Sequence, residues 1–120
     1  MSDPIADFFS AWGTDPATRR KILDRVLASD FRYADPRAGA ALTDRAALAT
    51  YLDAFTADAP GWRAEAVTTD TVDGLHRTVV AFTGDGPEGT PMIQHGSYFV
   101  RLDGDRISQM TGFAGLGAPA

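Results

Sequence analysis

Chemistry is concentrated in the stretch Phe31-Arg32-Tyr33-Ala34-Asp35-Pro36. Phe31 and Tyr33 alternate with other residues as in a brief strand, and Pro36 stops it. Proline donates no backbone N–H and holds the residue before it extended. Asp35 therefore ends an apolar segment, with its carboxylate free to point into whatever the fold encloses. A carboxylate aimed at an apolar space is a candidate general base. Asp-Pro is also a common turn opener, so a turn-capping role for Asp35 stands beside the catalytic one. Tyr98 is the candidate donor, because a phenol in a dry cavity can hydrogen-bond a developing oxyanion. As a core tyrosine it would find a backbone partner instead. His76 is either an acid–base partner for Asp35 or a structural strand histidine.

Other residues stand around these three. Gln94 shares the face of Tyr98 by the period of two, whereas His95 has the opposite parity and is expected away from a cavity that Tyr98 lines. The side that His76 occupies does not follow from the alternation. Arg77 points away from His76, towards a surface or interface ion pair or an anionic ligand group. Phe9, Trp12, Tyr33, Phe55 and Trp62 are the candidate ligand-contacting or wall residues. Asp73, Asp85 and Asp103 each neighbour a glycine and are expected in turns. No metal site, phosphate-cradling loop or nucleophile elbow is present in the pattern, and no cofactor is implied.

The elements that position these residues change period once. Asp3 caps a first helix from Pro4 to about Trp12, whose Ile5, Phe8, Phe9 and Trp12 share one face. Asp15-Pro16 opens a second helix ending near Ala28. Its buried side is Ile22, Leu23, Val26 and Leu27, and Arg19, Arg20, Asp24 and Arg25 are expected in solvent. Thr43 or Asp44 caps a third helix with Ala47, Leu48, Tyr51, Leu52 and Phe55 inside, ended by Pro60-Gly61. Beyond that, alternation takes over, with strands at 62–69, 75–83, 92–102 and 106–113. Asp73-Gly74 is the hairpin signal between the first two. Val79 and Phe99 are expected in the core with Phe8, Leu23, Leu27, Leu48 and Leu52. Helices followed by an antiparallel meander give an α+β domain, helices on one face of the sheet, around an apolar pocket suited to a small ligand.

Length and composition set the outer limits. A chain of 120 residues is one domain, 1–120, with a flexible tail expected from about residue 115. A net charge of −5 argues against nucleic acid as the partner, since phosphate binding needs a basic footprint. Cysteine is absent, which removes disulfides, thiolate metal sites and a cysteine nucleophile. Met1-Ser2-Asp3-Pro4 has neither the charge nor the apolar core of a signal peptide, and no apolar run is long enough for a membrane span. A cytoplasmic protein is the expectation. Abundant Ala, Asp, Arg and Gly with the single lysine Lys21 suit a bacterium with a GC-rich genome.

In order along the chain, Tyr33-Ala34-Asp35-Pro36, Pro60-Gly61-Trp62 and Val72-Asp73-Gly74-Leu75-His76-Arg77 are followed by Gln94-His95-Gly96-Ser97-Tyr98. Asp103-Gly104-Asp105-Arg106-Ile107 and Gly112-Phe113 complete the set. With these motifs the sequence resembles the nuclear transport factor 2-like superfamily, in particular its SnoaL-like branch. The resemblance implies a cone-shaped α+β barrel and a homodimer joined through the outer sheet face. That superfamily holds ketosteroid isomerases, polyketide cyclases, epoxide hydrolases, dehydratases and members with no chemistry. An Asp-Pro step in the isomerases supplies the Asp that moves a proton beside a carbonyl, so Asp35 looks like that base. Two positions depart from the pattern. Tyr98 stands near where isomerases and SnoaL-like cyclases carry an Asp, and Phe8, Phe9 and Trp12 stand where isomerases offer a tyrosine on the first helix. The resulting expectation is a cavity for a small hydrophobic, carbonyl-bearing molecule. Asp35 would take a proton there, with Tyr98 aided by Gln94 or His76, unless the domain only binds a ligand or dimerises.

Overall fold

Residues 3–115 are described by the structure, a computed structural model. Helix α1 (Pro4–Ser10) runs into a 3-10 turn (Ala11–Gly13), and α2 (Pro16–Val26) leads directly into strand β1 (Leu27–Ala34). Helix α3 (Arg45–Asp58) precedes four strands, β2 (Arg63–Val72), β3 (Leu75–Asp85), β4 (Pro91–Asp103) and β5 (Arg106–Ala114). The helices start where short-range chemistry puts them. Asp3 Oδ1 accepts from Ile5 N at 3.0 Å, Asp15 Oδ1 from Thr18 N at 2.9 Å and Asp44 Oδ1 from Ala46 N at 2.9 Å. Each such cap contributes about 1 kcal/mol, and proline follows the first two caps where its missing N–H costs nothing.

One five-stranded sheet has the order β1-β5-β4-β3-β2. All pairs are antiparallel except β1 with β5, so β1 and β2 are free edges and the curved sheet does not close. The architecture is α+β and cone-like. Strand β1 begins four residues earlier than the Phe31 expected from alternation. Its register against β5 slips between Leu27 and Arg32, and that irregularity breaks the period in the sequence.

The core lies between the helices and the concave face. Phe8, Phe9 and Trp12 from the first segment, Leu23 and Val26 from α2, and Leu48 and Leu52 from α3 meet Val80, Tyr98, Val100 and Met110 of the sheet. Four expectations change here. Val79 and Phe99 are only half-buried, because they alternate onto the convex face opposite Val80, Tyr98 and Val100. Ala47 is exposed and Ala49 is buried in its place. Arg19, expected in solvent, is fully buried. Its guanidinium donates to Ala11 O at 3.0 Å, Thr56 Oγ1 at 2.6 Å, Thr14 O and Asp53, and so fastens the 3-10 turn and α2 to α3. The expected flexible tail lies, beyond Gly115, outside the described residues. Among those residues no helix is long and apolar enough to cross a membrane.

Candidate functional site

Asp35 stands where β1 ends, in a turn and at the wall of a cavity. Oδ1 accepts from the backbone N–H of Arg37 at 2.9 Å and of Ala38 at 2.8 Å, which closes a turn. A bridge between Tyr33 and Leu42 pins that loop, with N–H···O bonds of 2.9 and 2.7 Å. The same carboxylate borders a cavity of about 530 Å³. The Tyr33 hydroxyl donates to Oδ2, and the Tyr51 hydroxyl reaches Oδ1 at 2.8 Å and Oδ2 at 2.7 Å. Four donors thus fill the roughly four lone-pair positions of a carboxylate. No arginine or lysine side chain bonds to Asp35 among the described residues.

The chain has three tyrosines, and all of them gather at this point. Tyr33 and Tyr98 have ring centroids 6.5 Å apart, and Tyr33 and Tyr51 6.1 Å. Burial pushes all three phenols above their ordinary pKa, and the nearby Asp35 charge adds to the rise. They therefore act as neutral donors. Tyr98 lies flat over Gly112, where a Cβ would come within 2.4 Å of its ring. Tyr51 was legible only as an inner-face residue of α3. The signal that it does more is a phenol in a stripe otherwise made of Leu48, Leu52 and Phe55.

Trp12, Phe55 and Phe82 form the apolar wall, with Trp12 5.0 Å from Phe55 and 5.4 Å from Phe82 between centroids. Trp62 stands at the mouth, its Nε1 donating to Asp85 O at 3.1 Å and its ring flat against Gly84. Gln94 also lines the cavity, on the face of Tyr98. His95 was expected away from it and nonetheless borders it. Strand β4 outruns β5, whose Ala114 pairs with Gly96, and Met92, Gln94 and His95 beyond that point border the cavity.

Three expected site residues sit elsewhere. Phe9 is fully buried behind the wall, 4.8 Å from Tyr98 and 6.1 Å from Trp12, and touches no cavity space. Tyr33 is likewise buried and supports Asp35 from behind. His76 is not part of the site. It pairs with Val100, hence faces the concave side, but lies about 20 Å along β3 from Phe82, at ~3.3 Å per residue. There its Nδ1 is 2.7 Å from Thr71 Oγ1. Arg77 pairs with Asp70 at 2.6 Å on the convex face, away from the cavity.

Residues 5–110 match the SnoaL-like domain, the branch that the sequence motifs resembled. The chain belongs to the SnoaL-like family. No curated protein matches it. Solved structures do. A proposed isomerase of the SnoaL-like family from Agrobacterium tumefaciens is 24% identical, with 92% of this chain and 93% of that one covered and a TM-score of 0.76. A Catenulispora acidiphila protein of ketosteroid isomerase-like fold, solved with trimethylamine, is 16% identical over 97% and 88%, with a TM-score of 0.77. IdmH of Streptomyces antibioticus, a proposed polyketide cyclase, is 18% identical over 92% and 88%, at 0.74. Likeness at these identities shows the fold of this SnoaL-like chain, and its chemistry must be argued from its own residues.

Proposed function

We propose that the cavity binds a small hydrophobic, carbonyl-bearing molecule and that Asp35 moves a proton on it without a cofactor. The observation that carries this reading is a carboxylate free of basic side-chain partners at the wall of an aromatic cavity of about 530 Å³. That volume suits a small molecule of a few fused rings or an equivalent chain. Asp35 takes a proton from the carbon beside the carbonyl, and the C–H electron pair moves to the carbonyl oxygen as an enolate. The proton then returns to a different carbon, an isomerisation, or the enolate carbon attacks a second carbonyl, whose oxygen takes the proton back from Asp35, an aldol-type cyclisation. Tyr51 is the donor that must turn aside, since it bonds both carboxylate oxygens and itself lines the cavity. Tyr98 supplies a neutral hydroxyl towards the developing oxyanion. The proposed isomerase and cyclase among the structural neighbours support this class of chemistry.

A second reading has its own observation. Two of the four donors on Asp35 are backbone N–H groups of the turn, which is what a purely structural aspartate would show. In that case the domain binds a ligand without transforming it. The two readings separate in D2O with 2-tetralone as a probe, following loss of its α-protons by NMR. Catalysis by Asp35 predicts exchange that Asp35→Asn slows by roughly 10²–10⁴, with binding of the probe little changed. Equal exchange by both proteins, with the probe bound, leaves the binding module.

We propose further that two copies associate through the convex sheet face. Val72, Ile93 and Phe113 are 76%, 57% and 55% exposed there, and Phe113 packs edge-on against the half-buried Phe99. The Asp70–Arg77 pair on this face neutralises itself.

A further inference from the structure

Trp62 differs from the other rings that border the cavity in what it rests on. Trp12, Tyr51, Phe55, Phe82, Tyr98 and Phe113 each pack against another aromatic ring. Trp62 packs against none among the described residues and lies on the sheet instead. By the period of two, β3 turns Gly84 to the same concave side as Val80 and Phe82. A Cβ on Gly84 would stand 2.4–2.5 Å from Cγ, Cδ1 and Cδ2 of the indole. Three atoms of one five-membered ring at nearly equal distance place that point over the face of the ring, not at its edge. The φ of Gly84 is not positive, so the backbone does not call for glycine there. What the missing side chain provides is a seat for the indole. The indole N–H donates to Asp85 O at 3.1 Å and so fixes the ring on that seat. With one face on the sheet and its N–H edge on Asp85, the half-buried ring has its other face left for the cavity that it lines.

We propose that this second face of Trp62 is a stacking platform for a planar, conjugated ring of the ligand. The cavity then takes aryl or otherwise conjugated ketones in preference to saturated ketones of the same skeleton. Two features favour a flat partner. The platform is held in place before a ligand arrives, so stacking costs little further ordering. Offset rings also gain beyond their area burial, because the positive edge of one lies over the negative face of the other. A ring held at the mouth keeps the rest of the molecule in the cavity that Asp35 borders. The inference rests on the cavity being the ligand site, as proposed above, and adds the class of ligand.

Two ketones on one carbon skeleton test it, 2-tetralone with an aromatic ring and trans-2-decalone with none. Calorimetry gives their affinity ratio in the wild type and in Trp62→Leu, which keeps an apolar side chain but loses the ring. Differences in partitioning between the two ketones cancel when the ratios are compared. The ratio should favour 2-tetralone in the wild type and fall by roughly three- to tenfold in Trp62→Leu, the contribution of one aromatic pair. Gly84→Ala must lift the indole from its seat, so it should weaken 2-tetralone binding in the wild type and leave it unchanged in Trp62→Leu. If Trp62→Leu does not fold, NMR on the wild type decides. The aromatic protons of bound 2-tetralone should then show nuclear Overhauser contacts to the Trp62 ring. An affinity ratio unmoved by Trp62→Leu, or a bound 2-tetralone ring without such contacts, would overturn the platform while leaving the cavity as a ligand site. Binding of neither ketone would overturn the cavity reading, and this inference with it.

Discussion

The bond from the Tyr33 hydroxyl to Asp35 can be measured through stability before any substrate is known. Tyr33→Phe removes one of four donors from the carboxylate but leaves no oxygen empty, because Tyr51 still reaches Oδ2 at 2.7 Å. The phenyl ring keeps its packing against Phe8, 5.7 Å away. The loss is then one hydrogen bond to a charged group, about 1.5–3 kcal/mol. Asp35→Asn keeps an oxygen for the Arg37 and Ala38 N–H groups and turns an NH2 towards the phenols. Tyr33, buried, must reverse its hydroxyl to accept, and the charge assistance is gone, for a cost of about 1–2.5 kcal/mol. The two costs overlap in the shared bond, so the double variant should recover about 1–1.5 kcal/mol against their sum. In urea, with a slope of about 1.5 kcal/mol per molar, a single loss of that size moves the midpoint by about 1 M. Additivity within about 0.3–0.5 kcal/mol would mean that the pair does not form in solution. The tyrosine-held carboxylate, and the site built on it, would then be wrong.

Three other outcomes follow from the same geometry. Folded-state phenol pKa values are raised above the unfolded value near ~10, so the stability they contribute is whole below that pH and falls as pH rises beyond it. Absorbance at 295 nm should show no phenolate in the folded protein near pH 10, and an ordinary tyrosine titration there would refute the cluster. Arg19→Met should cost about 2–4 kcal/mol in urea unfolding, because it removes the four hydrogen bonds of a buried guanidinium and takes this donor from Thr14 O, while exposed Arg20→Met costs under about 1 kcal/mol. Asp53 is held below its ordinary pKa by Arg20 and Arg19, so its share of stability is present above the unfolded value and lost as pH falls through the folded one. Both variants should therefore show a shallower loss in acid. Sedimentation at micromolar concentration should give a dimer that Phe113→Asp dissociates, its interface at least ~1,000 Å², and a wild-type species of only 12.8 kDa would sink the convex-face proposal.

What the sequence disclosed depended on how far apart the cooperating residues lie. Asp3-Pro4 and Asp15-Pro16 mark helix starts through bonds spanning two or three residues, so the helices could be read directly. The strands followed from alternation, except where β1 slips in register and alternation fails. Tyr33 beside Asp35 obeys the period of two and was within reach. Arg19 was not, because its burial needs α3 to bring Asp53 and Thr56 across from 34 and 37 residues away.

The site shows the same limit with a sharper consequence. Parity put Tyr98 and Gln94 on one face correctly, yet it had no power over His76, which shares that face and lies at the wrong end of its strand. Nor did it place His95, because a cavity that opens past the end of β5 no longer respects the two faces of β4. Tyr51 reaches Asp35 only because α3 crosses the end of β1, a packing decision made by Leu48 and Leu52 rather than by the tyrosine. Residue types marked chemistry along the chain, but convergence is a property of the core. The same apolar residues that bury Tyr33, Tyr51 and Tyr98 raise their pKa values and keep them as neutral donors around one charge. The surroundings of Asp35 therefore rest on the packing of the cone as much as on the Asp-Pro step.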